Sequence, residues 1–305
     1  MVRKHKLLLL KIISLFSVVR GYNIPIIILA QYLSAVFILA PEKRPLTILL
    51  DFNLFIIVLA SSLTIASGYI INSFYDSKKD LINRPNKSML DRLVSQKTKL
   101  NVYFTVNFIV AFLAVCVSWR ACLFFSVYIF LIWYYSHRIK KYAIIGNLTA
   151  AFLAVLPFFA ILLYYKNLYE VIFGHACFLF LLLLIREMIK DLENIKGDLV
   201  TDYKTIPILY GEAVSKKIIT VLTLLTIVPI YVLIEIFDVG YMDIYFYSCL
   251  IVLIFFLLSL WKSNTKEQYL LLHNVLKFLI VAGVFCIILI NPSVFWHGEK
   301  WLRSI

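Results

Sequence analysis

Between Ile71 and Pro85 the chain reads "INSFYDSKKDLINRP", in which Asn72, Asp76 and Asp80 recur every four residues. If the apolar stretch before them continues as a helix, the three side chains share one helical face. A second polar run, "REMIKDLENIKGD", ends a later apolar stretch and places Asp191, Asn194 and Asp198 at i, i+3 and i+7, again on one face. Carboxylates gathered on two helix ends repel each other unless a cation lies between them, and oxygen ligands of this kind suit Mg²⁺. Mg²⁺ takes one or two carboxylates and completes its shell with water and phosphate oxygens, so the predicted partner of the two clusters is a phosphorylated molecule. Cations able to hold it lie close in sequence: Arg186 and Lys190 beside the second cluster, Lys204 after it, and Arg138, Lys140 and Lys141 at the end of another apolar stretch. Arg186 is the most informative, because a guanidinium inside an apolar helix is costly and turns to a partner or a polar cavity. A pair with Glu187 or Asp191 on its own helix is the plainer alternative. The acids themselves are expected at solvated helix ends, where removing one costs little stability.

The elements that position these residues are membrane helices. The chain has 305 residues, 62% of them hydrophobic, and a mean hydropathy of +0.91, far above a soluble domain. Apolar runs near 21–40, 49–72, 100–118, 121–137, 143–164, 168–189, 216–236, 242–261 and 274–291 predict an all-α polytopic bundle of nine transmembrane helices, one domain over 1–305. Connections on one side are short, whereas 73–99 and 190–215 are long and charged; both read as active-site loops. A net charge of +13 raises the question of nucleic acid, and the location of the charges answers it. Most lysines and arginines fall on the side of the N-terminus and the two long segments, against Lys43, Arg44, Arg120, Lys166, Lys300 and Arg303 on the other. That bias accounts for the basicity without nucleic acid. It places the N-terminus and both acidic clusters in the cytoplasm of a bacterial or archaeal cell and the C-terminus outside. Residues 1–19 are basic and then apolar, are interrupted by Lys11 and lack a small-residue cleavage pattern, so they predict an interfacial helix rather than a signal peptide. Cys116, Cys122, Cys177, Cys249 and Cys286 lie in or beside apolar runs with no ligand spacing and read as packing residues. A transporter would set its ionisable groups at mid-membrane and break its helices there. The clusters at helix ends weigh against that reading, although Pro25, Pro157 and Pro229 fall within spans.

The same residues resemble the UbiA superfamily of intramembrane prenyltransferases. Its first signature, Asn-Asp-x-x-Asp-x-x-x-Asp, matches at Asn72, Asp76 and Asp80, with Ser73 in place of the first aspartate. Its second, Asp-x-x-x-Asp, falls on Asn194 and Asp198, with an amide for the first acid and Asp191 one turn earlier. "YSHRIKK" at 135–141 is similar to the family's Tyr and Lys pair; "IIGN" at 144–147 and "KTIPILYGE" at 204–212 also match, and Arg20 and Asn23 are similar to an Arg and Asn that begin its first helix. "DLINRPNK" and "REMIKDLENIKGD" look most like the branch resembling geranylgeranylglyceryl phosphate geranylgeranyltransferase, while "KSMLDRLVSQKT" replaces the usual Pro-x-Pro-Ser-Gly after Asn86. The resemblance implies Mg²⁺-dependent transfer of a polyprenyl group from an allylic polyprenyl diphosphate to a lipophilic acceptor. That acceptor is an ether-lipid precursor of the glyceryl phosphate type, or alternatively an aromatic quinone precursor such as dihydroxynaphthoate or hydroxybenzoate. The implied metal ligands are Asn72, Asp76, Asp80, Asp191, Asn194 and Asp198, with Asp76, Asp80 and Asp198 catalytic. Lys140, Lys141, Arg186, Lys190 and Lys204 are the implied diphosphate ligands, and Arg20, Asn23 and Tyr135 the substrate-binding residues. Ser73 and Asn194 leave a member without catalysis as the alternative.

Overall fold

A computed structural model of the chain describes residues 2–292. Its α-helices in chain order are α1 (Val2–Val18), α2 (Ile24–Ser34), α3 (Pro45–Leu49), α4 (Phe52–Tyr75), α5 (Ser77–Asn83), α6 (Pro85–Asp91), α7 (Gln96–Val117), α8 (Trp119–His137), α9 (Ile145–Tyr165), α10 (Glu170–Glu193), α11 (Ile195–Val200), α12 (Ile206–Leu225), α13 (Ile227–Glu235), α14 (Asp243–Lys262) and α15 (Lys266–Cys286). Among the described residues nine helical stretches are long and apolar enough to cross a membrane, the first being Gly21–Leu39 and the last Lys266–Ile290. The predicted all-α bundle is what forms, and among the described residues the one pairing of β type is an isolated bridge between Tyr142 and Lys204. Lys300 and Arg303 lie outside the described residues.

The helices start where side chains satisfy their free N–H groups. Asp51 caps α4 by accepting from the N–H groups of Asn53 and Leu54, Ser95 and Ser118 cap α7 and α8, and Thr265 with Gln268 forms a capping box on α15. The inner faces pack a core of aliphatic and aromatic residues such as Leu54, Val110, Phe125, Leu182 and Phe246. The outer faces stay apolar: Phe104, Phe108 and Phe112, one turn apart on α7, are all exposed, as expected where lipid is the solvent.

Several helices outrun the apolar stretches that announce them. The second span ends at Tyr75 rather than 72, the sixth at Glu193 rather than 189, and the seventh begins at Ile206 rather than 216. A helix satisfies its own backbone hydrogen bonds, so it continues into polar sequence until something caps it. The stretches 73–99 and 190–215, predicted as loops, are accordingly mostly helical, built from the end of α4, α5, α6, α10, α11 and the start of α12. The helix expected over 1–19 is α1. It docks on α6 through Ser14 Oγ, which donates to the Leu90 carbonyl, and Ser17 Oγ, which donates to Asp91 Oδ1, both at 2.8 Å.

Candidate active site

At one end of the bundle the ends of α4, α8 and α10 meet the starts of α2, α9 and α12 around a polar cavity. Asp76 joins α4 to α5 through a bend that keeps the hydrogen-bond ladder: its N–H donates to Asn72 O at 2.9 Å, and the Asp80 N–H donates to Asp76 O at 2.8 Å. With the helical path preserved, Asn72, Asp76 and Asp80 all reach the cavity. Asn194 plays the same part between α10 and α11, and Asp191 and Asn194 line the opposite wall. Asp198 lies behind that wall, 0% exposed, and pairs with Lys79, which lines the cavity.

Cations from other elements meet these acids. Lys140 Nζ donates to Asp76 Oδ1 at 2.7 Å and to Asn72 Oδ1 at 3.0 Å, and the Tyr203 hydroxyl donates to the same Asp76 oxygen at 2.7 Å. Lys190 pairs with Glu187 at 2.7 Å, and Asn147 Nδ2 donates to Asp191 Oδ2 at 2.7 Å. Burial pushes the Asp76 carboxyl up, but Lys140 and Lys79 beside it more than reverse this and hold it below the usual carboxylate range. Asp80 goes the other way, raised by burial and by the charge on Asp76. Asp198 is raised as well, because burial outweighs Lys79.

The acids are not at solvated helix ends: Asp76 is 8% exposed, and α5, α6 and α11 fold across the end of the bundle to cover the site. That cover is fastened at Asn83, whose Oδ1 accepts from the Gly197 N–H at 3.1 Å and whose carbonyl accepts from Lys266 Nζ at 2.5 Å. A Cβ on residue 197 would come within 2.3 Å of the Asn83 side chain. Gly197→Ala is therefore expected to force α11 off α5 at a cost of about 1–3 kcal/mol. Thermal unfolding of purified parent and variant, compared side by side, checks this.

Of the residues singled out in the sequence, Arg20, Asn72, Asp76, Asp80, Tyr135, Lys140, Lys190, Asp191 and Asn194 are brought to one cavity. Asn23, Lys141, Arg186 and Lys204 are not. Arg186 Nε donates to His273 Nε2 at 3.2 Å, and its guanidinium lies 3.9 Å from Glu187, so the plainer intrahelical pair and a contact to α15 occupy it. Lys141 and Lys204 are exposed because their backbones, not their side chains, are used: the Lys204 N–H donates to Lys141 O at 2.8 Å, which turns the neighbouring Lys140 and Tyr203 inward. Lys79, Arg84, Asn147, Glu187 and Tyr203 also line the cavity and were not singled out. Lys79 had a signal in its spacing, one turn from Asp76 on the same face, and Asn147 in the "IIGN" motif; Tyr203 had none.

Among the described residues no three His, Cys, Asp or Glu side chains converge closely enough to hold a metal by themselves. The set is one of carboxylates and amides on facing walls, and Asp198 Oδ2 is buried with no hydrogen-bond partner. It fits Mg²⁺ sharing its shell with phosphate oxygens and water. Residues 28–275 match the UbiA prenyltransferase family. The chain belongs to that family. Two digeranylgeranylglyceryl phosphate synthases are among its relatives. The one from Methanobrevibacter smithii is 30% identical over 213 residues, covering 67% of this chain and 75% of that protein. The one from Methanosphaera stadtmanae is 28% identical over 221 residues, covering 71% and 78%. A solved structure from work on digeranylgeranylglyceryl phosphate synthase in membranes has a TM-score of 0.69 at 19% identity, over 91% of this chain and 97% of that one. A UbiA homolog from Archaeoglobus fulgidus bound to DMAPP and Mg²⁺ has a TM-score of 0.66 at 16% identity, over 90% and 99%. As a UbiA prenyltransferase with nine apolar helices among its described residues, the chain is a multi-pass integral membrane enzyme.

Proposed function

We propose that this UbiA prenyltransferase transfers a polyprenyl group, with Mg²⁺, from an allylic polyprenyl diphosphate to the hydroxyl of a lipophilic glyceryl phosphate acceptor. The observation that carries this reading is the cavity wall, where two banks of carboxylates alternate with Lys79, Lys140 and Lys190 at the end of an apolar bundle. The similarity to two digeranylgeranylglyceryl phosphate synthases supports the acceptor. The bias of lysine and arginine supports a cavity that opens to the cytoplasm from the cytoplasmic membrane.

In the reaction the bond between the allylic carbon and the diphosphate oxygen breaks and its electron pair leaves with the diphosphate, a bond from the acceptor oxygen to that carbon forms, and the hydroxyl proton passes to the departing diphosphate. Asp76, Asp80 and Asp191, with Asn72 and Asn194, line the cavity and would hold Mg²⁺, which when bound neutralises charge on the diphosphate leaving group; Asp198, behind that wall, holds Lys79. Lys79, Lys140 and Lys190 donate hydrogen bonds to diphosphate oxygens and so favour the state in which negative charge has built up there. The Tyr135 ring lines the cavity and offers a π face to the positive charge left on the allyl group. The apolar spans take up the polyprenyl chain and keep water from the reacting carbon.

The test is incubation of the purified chain with Mg²⁺, labelled geranylgeranyl diphosphate and, separately, geranylgeranylglyceryl phosphate, dihydroxynaphthoate and hydroxybenzoate. Product is expected from the phosphate lipid. Product from an aromatic acceptor alone would move the enzyme to quinone precursors. Excess chelator is expected to abolish turnover, because a diphosphate and clustered carboxylates repel without a cation, and full turnover in chelator would remove the metal from the proposal.

A further inference from the structure

The cations at this end of the bundle fall into two sets, of which Lys79, Lys140, Lys190 and Arg20 line the cavity and Lys87 and Lys99 lie outside its lining. Toward α8 and α10 each lysine has a carboxylate: Lys140 with Asp76, Lys79 with Asp198 and Lys190 with Glu187. Toward the junction of α1 and α2, and along α6 and α7, the pairing is absent. Arg20, held at φ 49° between α1 and α2, lines the cavity and lies 4.9 Å over the Tyr69 ring, yet forms no ion pair with a described residue. Lys87 on α6 is half-buried and makes no hydrogen bond or ion pair with a described residue. Lys99 on α7, 2% exposed, donates at 3.1 Å to Ser73 Oγ, a neutral partner.

Among the described residues the carboxylates acting on Lys87 and Lys99 are Asp91 and Asp80. Asp91 is buried and already accepts from Ser17, and Asp80 faces Arg20, Arg84 and Lys87 together. The contacts of Ser14 and Ser17 with α6 tie it to the last turn of α1, which brings Lys87, one turn before Asp91, to the corner where Arg20 begins α2. Burial, with the Arg20 and Arg84 guanidinium groups, pulls the Lys87 ammonium below its ordinary range although Asp91 and Asp80 act against it, as expected where cations share too few carboxylates. Half-buried positive charge that must share its carboxylates with other cations is costly, and a further anion lowers the cost. The diphosphate of the donor belongs, on the reading above, to the wall of carboxylates and paired lysines, so the anion for this side is a second one.

We propose that Arg20 and Lys87 form the subsite for the phosphate monoester of the acceptor, a proposal that rests on the prenyl-transfer reading above. The guanidinium supplies a planar fork for two phosphate oxygens and the ammonium a point charge for the third. Lys87 opens the stretch in which this chain departs from Pro-x-Pro-Ser-Gly.

The experiment compares the full chain in detergent with Lys87→Met, which keeps the length of the side chain and removes its charge, and with Lys87→Arg, which restores the charge. Binding of labelled geranylgeranylglyceryl phosphate is measured without donor, and acceptor and donor KM are measured in turnover. The Lys87→Met variant is expected to weaken phosphate-lipid binding and raise acceptor KM by about tenfold or more, the scale of one hydrogen bond to a charged group. Donor KM should stay as in the parent, Lys87→Arg should restore binding, and the same lipid alcohol without its phosphate should bind parent and variant alike. Unchanged phosphate-lipid binding in Lys87→Met overturns the proposal. A rise in donor KM instead of acceptor KM also overturns it, because the cluster would then hold diphosphate. An effect seen only in vesicles of anionic lipid overturns it in favour of bilayer headgroups. No product from any acceptor, with the binding difference intact, would support the phosphate site and sink the transfer reading.

Discussion

Replacing Asp76 by asparagine is expected to lower turnover by about 10²- to 10³-fold in a chain that still folds. Asparagine keeps an oxygen that can accept from Lys140 and Tyr203, so the packing of the cavity wall survives. What it removes is the charge that Lys140 balances and that a cation would need. Asp76→Ala should behave differently. It deletes the partner of a buried ammonium altogether, and a buried pair broken from one side costs about 3–5 kcal/mol. The alanine variant is thus expected to lose both turnover and several degrees of Tm, while the asparagine variant loses turnover alone. Product formation and thermal unfolding of the two variants, measured together, separate the charge from the packing; near-parental turnover of Asp76→Asn would take Asp76 out of the site.

The second large effect is expected at Asp191, not at Asn194. Asn194 stands where the second signature has an acid, which invites the thought that Asn194→Asp would improve the enzyme. Its surroundings argue otherwise. Asn194 Nδ2 donates to the Lys190 carbonyl at 2.6 Å, closing the end of α10, and an aspartate there would set a carboxylate oxygen against that carbonyl. Asp191, one turn earlier, already faces the cavity with its Oδ2 held by Asn147 at 2.7 Å, and an oxygen fixed by a second residue is a better-placed ligand. Asp191→Asn is therefore expected to raise the Mg²⁺ concentration for half-maximal turnover by about 10- to 100-fold. Asn194→Asp should leave it near the parental value. A Mg²⁺ titration of turnover in the three proteins decides, and the reverse order would assign the acid's role to position 194.

Asn72, Asp76 and Asp80 could be read as one face because their spacing is a local property of a helix, and the helical path bends at Asp76 without leaving its register. That the two acidic clusters sit amid basic residues at helix ends was equally legible, as was the matching family. Arg186 was overvalued because sequence shows that a charge lies in an apolar helix but not which neighbour it meets, and the neighbour is His273 on α15. Burial of the acids was missed for a related reason: hydropathy marks 73–99 and 190–215 as polar, yet Asn83 and Gly197 lock α5 and α11 over the site by a contact spanning 114 residues.

The sequence by itself determined that the chain is a bundle of apolar helices with two acid-bearing ends, since apolar run length and one-turn spacing are set by residues near one another. Only the tertiary structure decided which lysine neutralises which carboxylate, that Tyr203 reaches Asp76 from 127 residues away, and that α6 is tied to the last turn of α1, just before Arg20. Those partnerships follow from how helices distant in the chain pack against each other, and the energy of an ionised group inside a low-dielectric bundle depends on the charges and hydrogen bonds that such packing brings within a few ångströms of it.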